Sequence, residues 1–156
     1  MNSEKRLEQK MILKNQDIPI LLMVLHEPTL DHLLTLLKDN NFFPIVISDP
    51  TALPQVLKAQ PFAVVFIDCE AVSSYGGGIY ARIKVSCPRA RIILFGQRAH
   101  LQNKSHRDLV KEAMELGVYA CLLAPYKDWE VLSMIKHILL KENTGYRRKA
   151  EEDQDS

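Results

Sequence analysis

Cysteine, glycine and charge of a single sign are all scarce in this sequence, and each shortage closes off a class of protein. There are three cysteines, Cys69, Cys87 and Cys121, far apart and without a CxxC pair. Neither a disulfide scaffold nor a zinc knuckle is built from such a set, so they read as buried free thiols in a reducing cytoplasm. The only glycine cluster, Gly76-Gly77-Gly78, lacks the GxGxxG spacing and the Lys-Ser/Thr of a phosphate-binding loop; a flexible loop is expected there. Lys and Arg number 20 against 19 Asp and Glu, a net charge of +1, which leaves no global field to recruit nucleic acid or a membrane surface. No apolar run reaches the ~20 residues needed to cross a bilayer.

Catalytic signatures are missing as well. The histidines His26, His32, His100, His106 and His137 make no HExxH pattern, Ser73, Ser74 and Ser86 sit in no nucleophile elbow, and Cys87 before Pro88 has no base beside it in sequence. No enzymatic activity, metal or cofactor is expected.

What remains is a regular alternation. Residues 18–25 (IPILLMVL), 43–48 (FPIVIS), 62–67 (FAVVFI), 91–95 (RIILF) and 118–123 (VYACLL) are short apolar runs, as expected of strands covered on both faces. Helical spacing of apolar residues separates them over 30–40, about 51–59, from the glycine loop to about 85, 107–116 and 128–141. Pro54 bends the second helix unless it sits in the first turn, and Gly117 closes the fourth. Strands alternating with helices through short loops predict a doubly wound α/β domain with a parallel sheet over residues 18–141. Periodicity leaves the strand order open between flavodoxin-like and Rossmann-like variants. Residues 1–17 carry charge and helix-favouring residues, with Leu7, Met11 and Ile12 near one face and no apolar core of an export signal; a short helical arm is expected. Residues 142–156 are polar, and the basic run Arg147-Arg148-Lys149 is followed by Glu151, Glu152 and Asp153. A solvated tail or linker without nucleic-acid binding is expected.

Three segments resemble the receiver domains of bacterial response regulators. Val24-Leu25-His26-Glu27-Pro28 is similar to that family's Val-Asp-Asp-Glu-Pro at the end of the first strand. Pro61-Phe62-Ala63-Val64-Val65-Phe66-Ile67-Asp68 resembles the segment that ends in the phosphoacceptor aspartate. The run from Ala113 to Tyr126 (AMELGVYACLLAPY) matches Ala-Leu-Glu-Ala-Gly-Ala-Asp-Asp-Tyr-Leu-Leu-Lys-Pro-Phe without a gap. The resemblance implies a flavodoxin-like five-stranded parallel sheet in the order 2-1-3-4-5, helices on both faces, and any site at the C-terminal edge of the strands. It also implies that the chemistry is degenerate. The magnesium-holding acidic pair corresponds to Leu25 and His26, the hydroxyl residue ending strand four to Gly96, the lysine ending strand five to Ala124, and the switch aromatic to Cys121. Asp68 alone stands where the family has a reactive group.

Those losses weigh heavily. Phosphoryl transfer relies on positioning and on neutralising charge spread over oxygens. Magnesium asks for hard oxygen ligands, which Leu25 does not offer, and neutral His26 suits softer metals. Each missing preorganised donor typically costs ~10²–10³ in rate. A shifted register would be needed to bring Glu27 and His26 to Asp68 as a metal site, since consecutive strand residues point to opposite faces. The expectation is therefore a pseudo-receiver, a cytoplasmic interaction module whose Asp68 is vestigial. Its partner is an unidentified protein or a second copy. The resemblance places the contact on the face of the family's fourth helix, fifth strand and fifth helix, around Met114, Tyr119, Tyr126 and Trp129. The rival readings are a receiver still phosphorylated on Asp68 within a phosphorelay, and a flavodoxin-like small-molecule binder at the same edge.

Overall fold

The computed structural model describes residues 18–154, with side chains described through Lys141. The arm expected over residues 1–17, and Asp155 and Ser156 at the end of the expected tail, lie outside the described residues. Strands β1 (Ile20–Met23), β2 (Ile45–Val46), β3 (Val64–Asp68), β4 (Arg91–Gln97) and β5 (Ala120–Ala124) form one five-stranded parallel sheet. Their order is β2-β1-β3-β4-β5, as the receiver resemblance implies. Helices α1 (Glu27–Asp39), α2 (Leu53–Ala59), α3 (Cys69–Tyr75), α4 (Ile79–Ser86), α5 (Lys104–Glu115) and α6 (Asp128–Gln154) connect or follow the strands.

Alternation along the strands sorts their side chains between two cores. Leu21, Met23, Val65, Ile67, Ile92 and Leu94 face the helices α2 to α5, against Leu57, Val72, Ile83 and Ala113. Ile20, Leu22, Val64, Phe66, Ile93 and Phe95 face α1 and α6, against Leu33, Leu37, Val131 and Ile135. Every residue of β1 and β3 is buried. Central strands covered on both faces have no solvent side, and so β1, and β3 up to Asp68, carry only apolar residues.

Local chemistry sets the ends of the helices. Pro54 lies in the first turn of α2, where its missing N–H costs nothing. Asp49 accepts the backbone N–H of Thr51 at 3.0 Å and starts the short 3₁₀ turn before it. Gly117, at φ +89°, turns the chain out of α5 while the Val118 N–H returns to the Ala113 carbonyl.

The structure departs from the sequence reading in the third crossover and at the last helix. The segment after Asp68, expected as a loop, forms the helix α3, which ends where Gly76 takes φ +91°. Cys69, Ala71 and Val72 bury one side of it, and that packing overrides the weak helix preference of Ser73 and Ser74. Helix α6 runs through Gln154, past the expected end at Lys141. No proline interrupts it, and the lone Gly145 costs only about 1 kcal/mol.

Phe66 is fully buried and meets the Phe95 ring edge-on, with centroids 5.3 Å apart. Phe66→Ala should lower stability by about 3–5 kcal/mol in urea denaturation. Val85→Ala, at a side chain 82% exposed, should stay within about 0.5 kcal/mol.

Candidate functional site

Parallel strands deliver the ends of β1, β3, β4 and β5 to one edge, and the loops leaving that edge form a cleft. Asp68 ends β3 there and is only 3% exposed. Its Oδ2 accepts the backbone N–H of Leu25 at 3.1 Å and that of His26 at 2.8 Å. Its Oδ1 accepts the N–H of Ala71 at 2.8 Å, which makes Asp68 the N-cap of α3. The carboxylate thus fastens the chain leaving β1 to the end of β3 and starts the following helix. Three of its roughly four acceptor positions are taken by backbone donors.

The positions around it offer no replacement chemistry. Leu25 packs against the core formed with α2 to α5. His26 is the N-cap residue of α1, and its Nδ1 lies 2.7 Å from the Thr29 hydroxyl. Glu27 is exposed in the first turn of α1. Gly96 is buried, and a Cβ built on it would lie 3.1 Å from Leu123 Cδ2 and 3.2 Å from Cys69 Sγ. Two side chains therefore fill the space where a receiver places its hydroxyl. Ala124 is half-buried at the end of β5, before a cis peptide bond to Pro125. Burial pushes the Cys69 thiol up to about 12, helped by neighbouring Cys121 and Asp68. Burial also raises Cys121, so neither cysteine is a ready nucleophile. Among the described residues, no group of three or more His, Cys, Asp or Glu side chains is placed to hold a metal ion. The magnesium of phosphorylating receivers does not fit here, because the lone buried carboxylate points at backbone N–H groups and its neighbours bring no hard oxygen pair.

The cleft measures about 80 Å³ and is lined by His26, Asp68, Glu70, Gln97, His100, His106 and Tyr126 among others. Tyr126 was assigned to the outer face by resemblance. Its ring meets Phe95 edge-on at 5.3 Å, and burial, with Asp128 nearby, pushes its hydroxyl up to about 12. Glu70, His100 and His106 were not tied to this edge by any sequence motif. Their place in the segments that follow β3 and β4 is the signal that points to them.

Met114 on α5 and Trp129 on α6 are 49% and 62% exposed. Tyr119 is half-buried, and its hydroxyl pairs with His137 Nδ1. Leu116 and Leu140 are also exposed apolar side chains, at 51% and 57%.

No family model matches the chain, and no curated protein matches it. Solved structures do. The signal receiver domain of an HD domain-containing protein from Pseudomonas fluorescens Pf-5 is 23% identical, with a TM-score of 0.68 over 88% of this chain and 95% of that one. A two-component response regulator from Clostridium difficile is 13% identical, with a TM-score of 0.66 over 81% of this chain and 98% of that one. A structure described as adenylate cyclase from Rhodopirellula baltica is 17% identical, with a TM-score of 0.64 over 92% and 100%. The fold is that of receiver domains.

Asp68→Ala would leave the N–H groups of Leu25, His26 and Ala71 without their acceptor. It should cost about 2–4 kcal/mol in chemical denaturation, and Asp68→Asn, which keeps one acceptor oxygen, less. A neutral Asp68→Ala would refute the structural role. Gly96→Ser should destabilise by about 1–3 kcal/mol through overpacking, read by the same titration.

Proposed function

We propose that this chain, which has the receiver fold, is a signalling module that works through protein contacts and not through phosphoryl transfer. One observation carries the reading: the Asp68 carboxylate is buried and bonded to three backbone N–H groups. A phosphorylated receiver needs that carboxylate free to attack, with a cation to neutralise the incoming group. Leu25, His26, Gly96 and Ala124 supply neither the metal ligands nor the hydroxyl and ammonium. The cleft beside Asp68, at about 80 Å³, is smaller than the ~300–1,000 Å³ typical of cofactor pockets, which gives the flavodoxin-like binder less support at that point of the edge.

The contact surface is the face of α5, β5 and α6. Met114, Leu116 and Trp129 are exposed there, and an exposed tryptophan makes a strong anchor once desolvated. Tyr126 acts from beneath, holding the start of α6 against Phe95. The partner is a protein or a second copy of the chain, and the module performs no catalysis of its own.

Incubation with acetyl phosphate and magnesium should leave Asp68 without acid-labile phosphate. A stoichiometric label that disappears in Asp68→Asn would overturn the reading and establish a working phosphorelay receiver. Trp129→Ala combined with Met114→Glu should weaken self-association or partner capture at least about tenfold, with the far-UV spectrum unchanged. Unaltered binding would place the interface elsewhere.

A further inference from the structure

The turn after β4 holds a histidine pair with no part in the reading above. His100 lies in the 3₁₀ turn Arg98–Gln102, and His106 in the first turns of α5. Their rings meet edge to face, 4.9 Å between centroids at 76°. Both residues line the cleft beside Asp68, and both line a second cavity of about 380 Å³ with Ala99, Gln102 and Asn103. The pair is therefore the wall between the two spaces. His106 Nε2 is buried and has no hydrogen-bond partner.

A neutral imidazole tolerates that position, since only one ring nitrogen has to donate. A protonated ring must donate from both, and an N–H at Nε2 would have no acceptor. The charged groups nearby do not supply one. On the cleft side, Asp68 is engaged with backbone N–H groups, Glu70 is exposed at the start of α3, and His26 is directed to Thr29. Tyr126, the remaining ionisable group of that wall besides Cys69, keeps its proton. Across the second cavity stand the uncharged Gln102 and Asn103. Within the turn, Arg107 donates to the carbonyls of Leu101 and Gln102 at 2.9 and 3.1 Å and adds positive charge.

We propose that the His100–His106 pair is a proton-sensitive partition, closed while His106 is neutral and parted when His106 takes a proton, which joins the two cavities. Burial, and next the adjacent His100, hold His106 below its ordinary 6.5. With the folded value depressed, the stabilisation from the closed pair is present above pH ~6.5 and is lost as the pH falls through the lower folded value. The device requires no partner at the α5–β5–α6 face, so it stands or falls independently of the interaction reading.

Histidine titration by NMR, together with amide hydrogen exchange of residues 98–106 at about pH 7.5 and 5.5, tests it. After correction for intrinsic exchange, protection of this turn should fall at least about tenfold at the lower pH, while β3 stays protected. His106→Phe, which keeps the ring but cannot titrate, should remove that dependence, and His100→Phe should raise the His106 pKa. Equal protection at both pH values, a His106 pKa at or above 6.5, or a loss that persists in His106→Phe would overturn the proposal. So would a dependence abolished by His26→Gln instead.

Discussion

At the edge where the strands end, one buried carboxylate meets the backbone N–H groups of Leu25, His26 and Ala71. Three structural requirements are satisfied at once. The chain leaving β1 is held to the end of β3, the first turn of α3 gains its cap, and a negative charge inside the protein is matched by aligned donors. Each bond is charge-assisted, and each joins segments far apart in sequence or begins a new element. Geometry at the edge follows from this point. His26 is left to start α1, Cys69 is placed beside Gly96, and the cleft opens between the loops that follow. The interaction that organises the edge also commits both oxygens of the aspartate to backbone donors.

Much of this architecture was legible in the residues. The runs at β1, β3 and β4 are apolar on both faces because the sheet is sandwiched, and that pattern predicts parallel strands directly. Strand order was not legible from periodicity, which reports local exposure and not neighbours; the likeness to receivers of the three segments Val24–Pro28, Pro61–Asp68 and Ala113–Tyr126 supplied it. Helix α3 escaped notice because its sequence, CEAVSSY, has weak intrinsic preference and forms only against the core. The packing of Tyr126 escaped for a related reason: a loop tyrosine reads the same whether it faces solvent or lies on Phe95. Three-dimensional convergence of His100 and His106 across a 3₁₀ turn leaves no periodic trace at all.

The two surfaces of interest lie close together. Residue by residue, α5 contributes His106 to the cleft at its start and exposed Met114 near its end. Helix α6 begins beside Tyr126 and exposes Trp129 in its first turn, while Asp128 there reaches across to His32 of α1 at 2.7 Å. The latter pair is about half exposed on both sides, so it orients the helix more than it stabilises the fold.

Gly96 has a consequence for the history open to this sequence. Leu123 Cδ2 and Cys69 Sγ would stand 3.1 and 3.2 Å from a Cβ there, so any residue larger than glycine enters only if both side chains give by a few tenths of an ångström. A smaller neighbour would relieve that crowding, at the cost of a void that weakens the core. Packing of this kind acts as a ratchet on substitution: once neighbours have settled around a bare backbone, each larger residue has to displace them to enter.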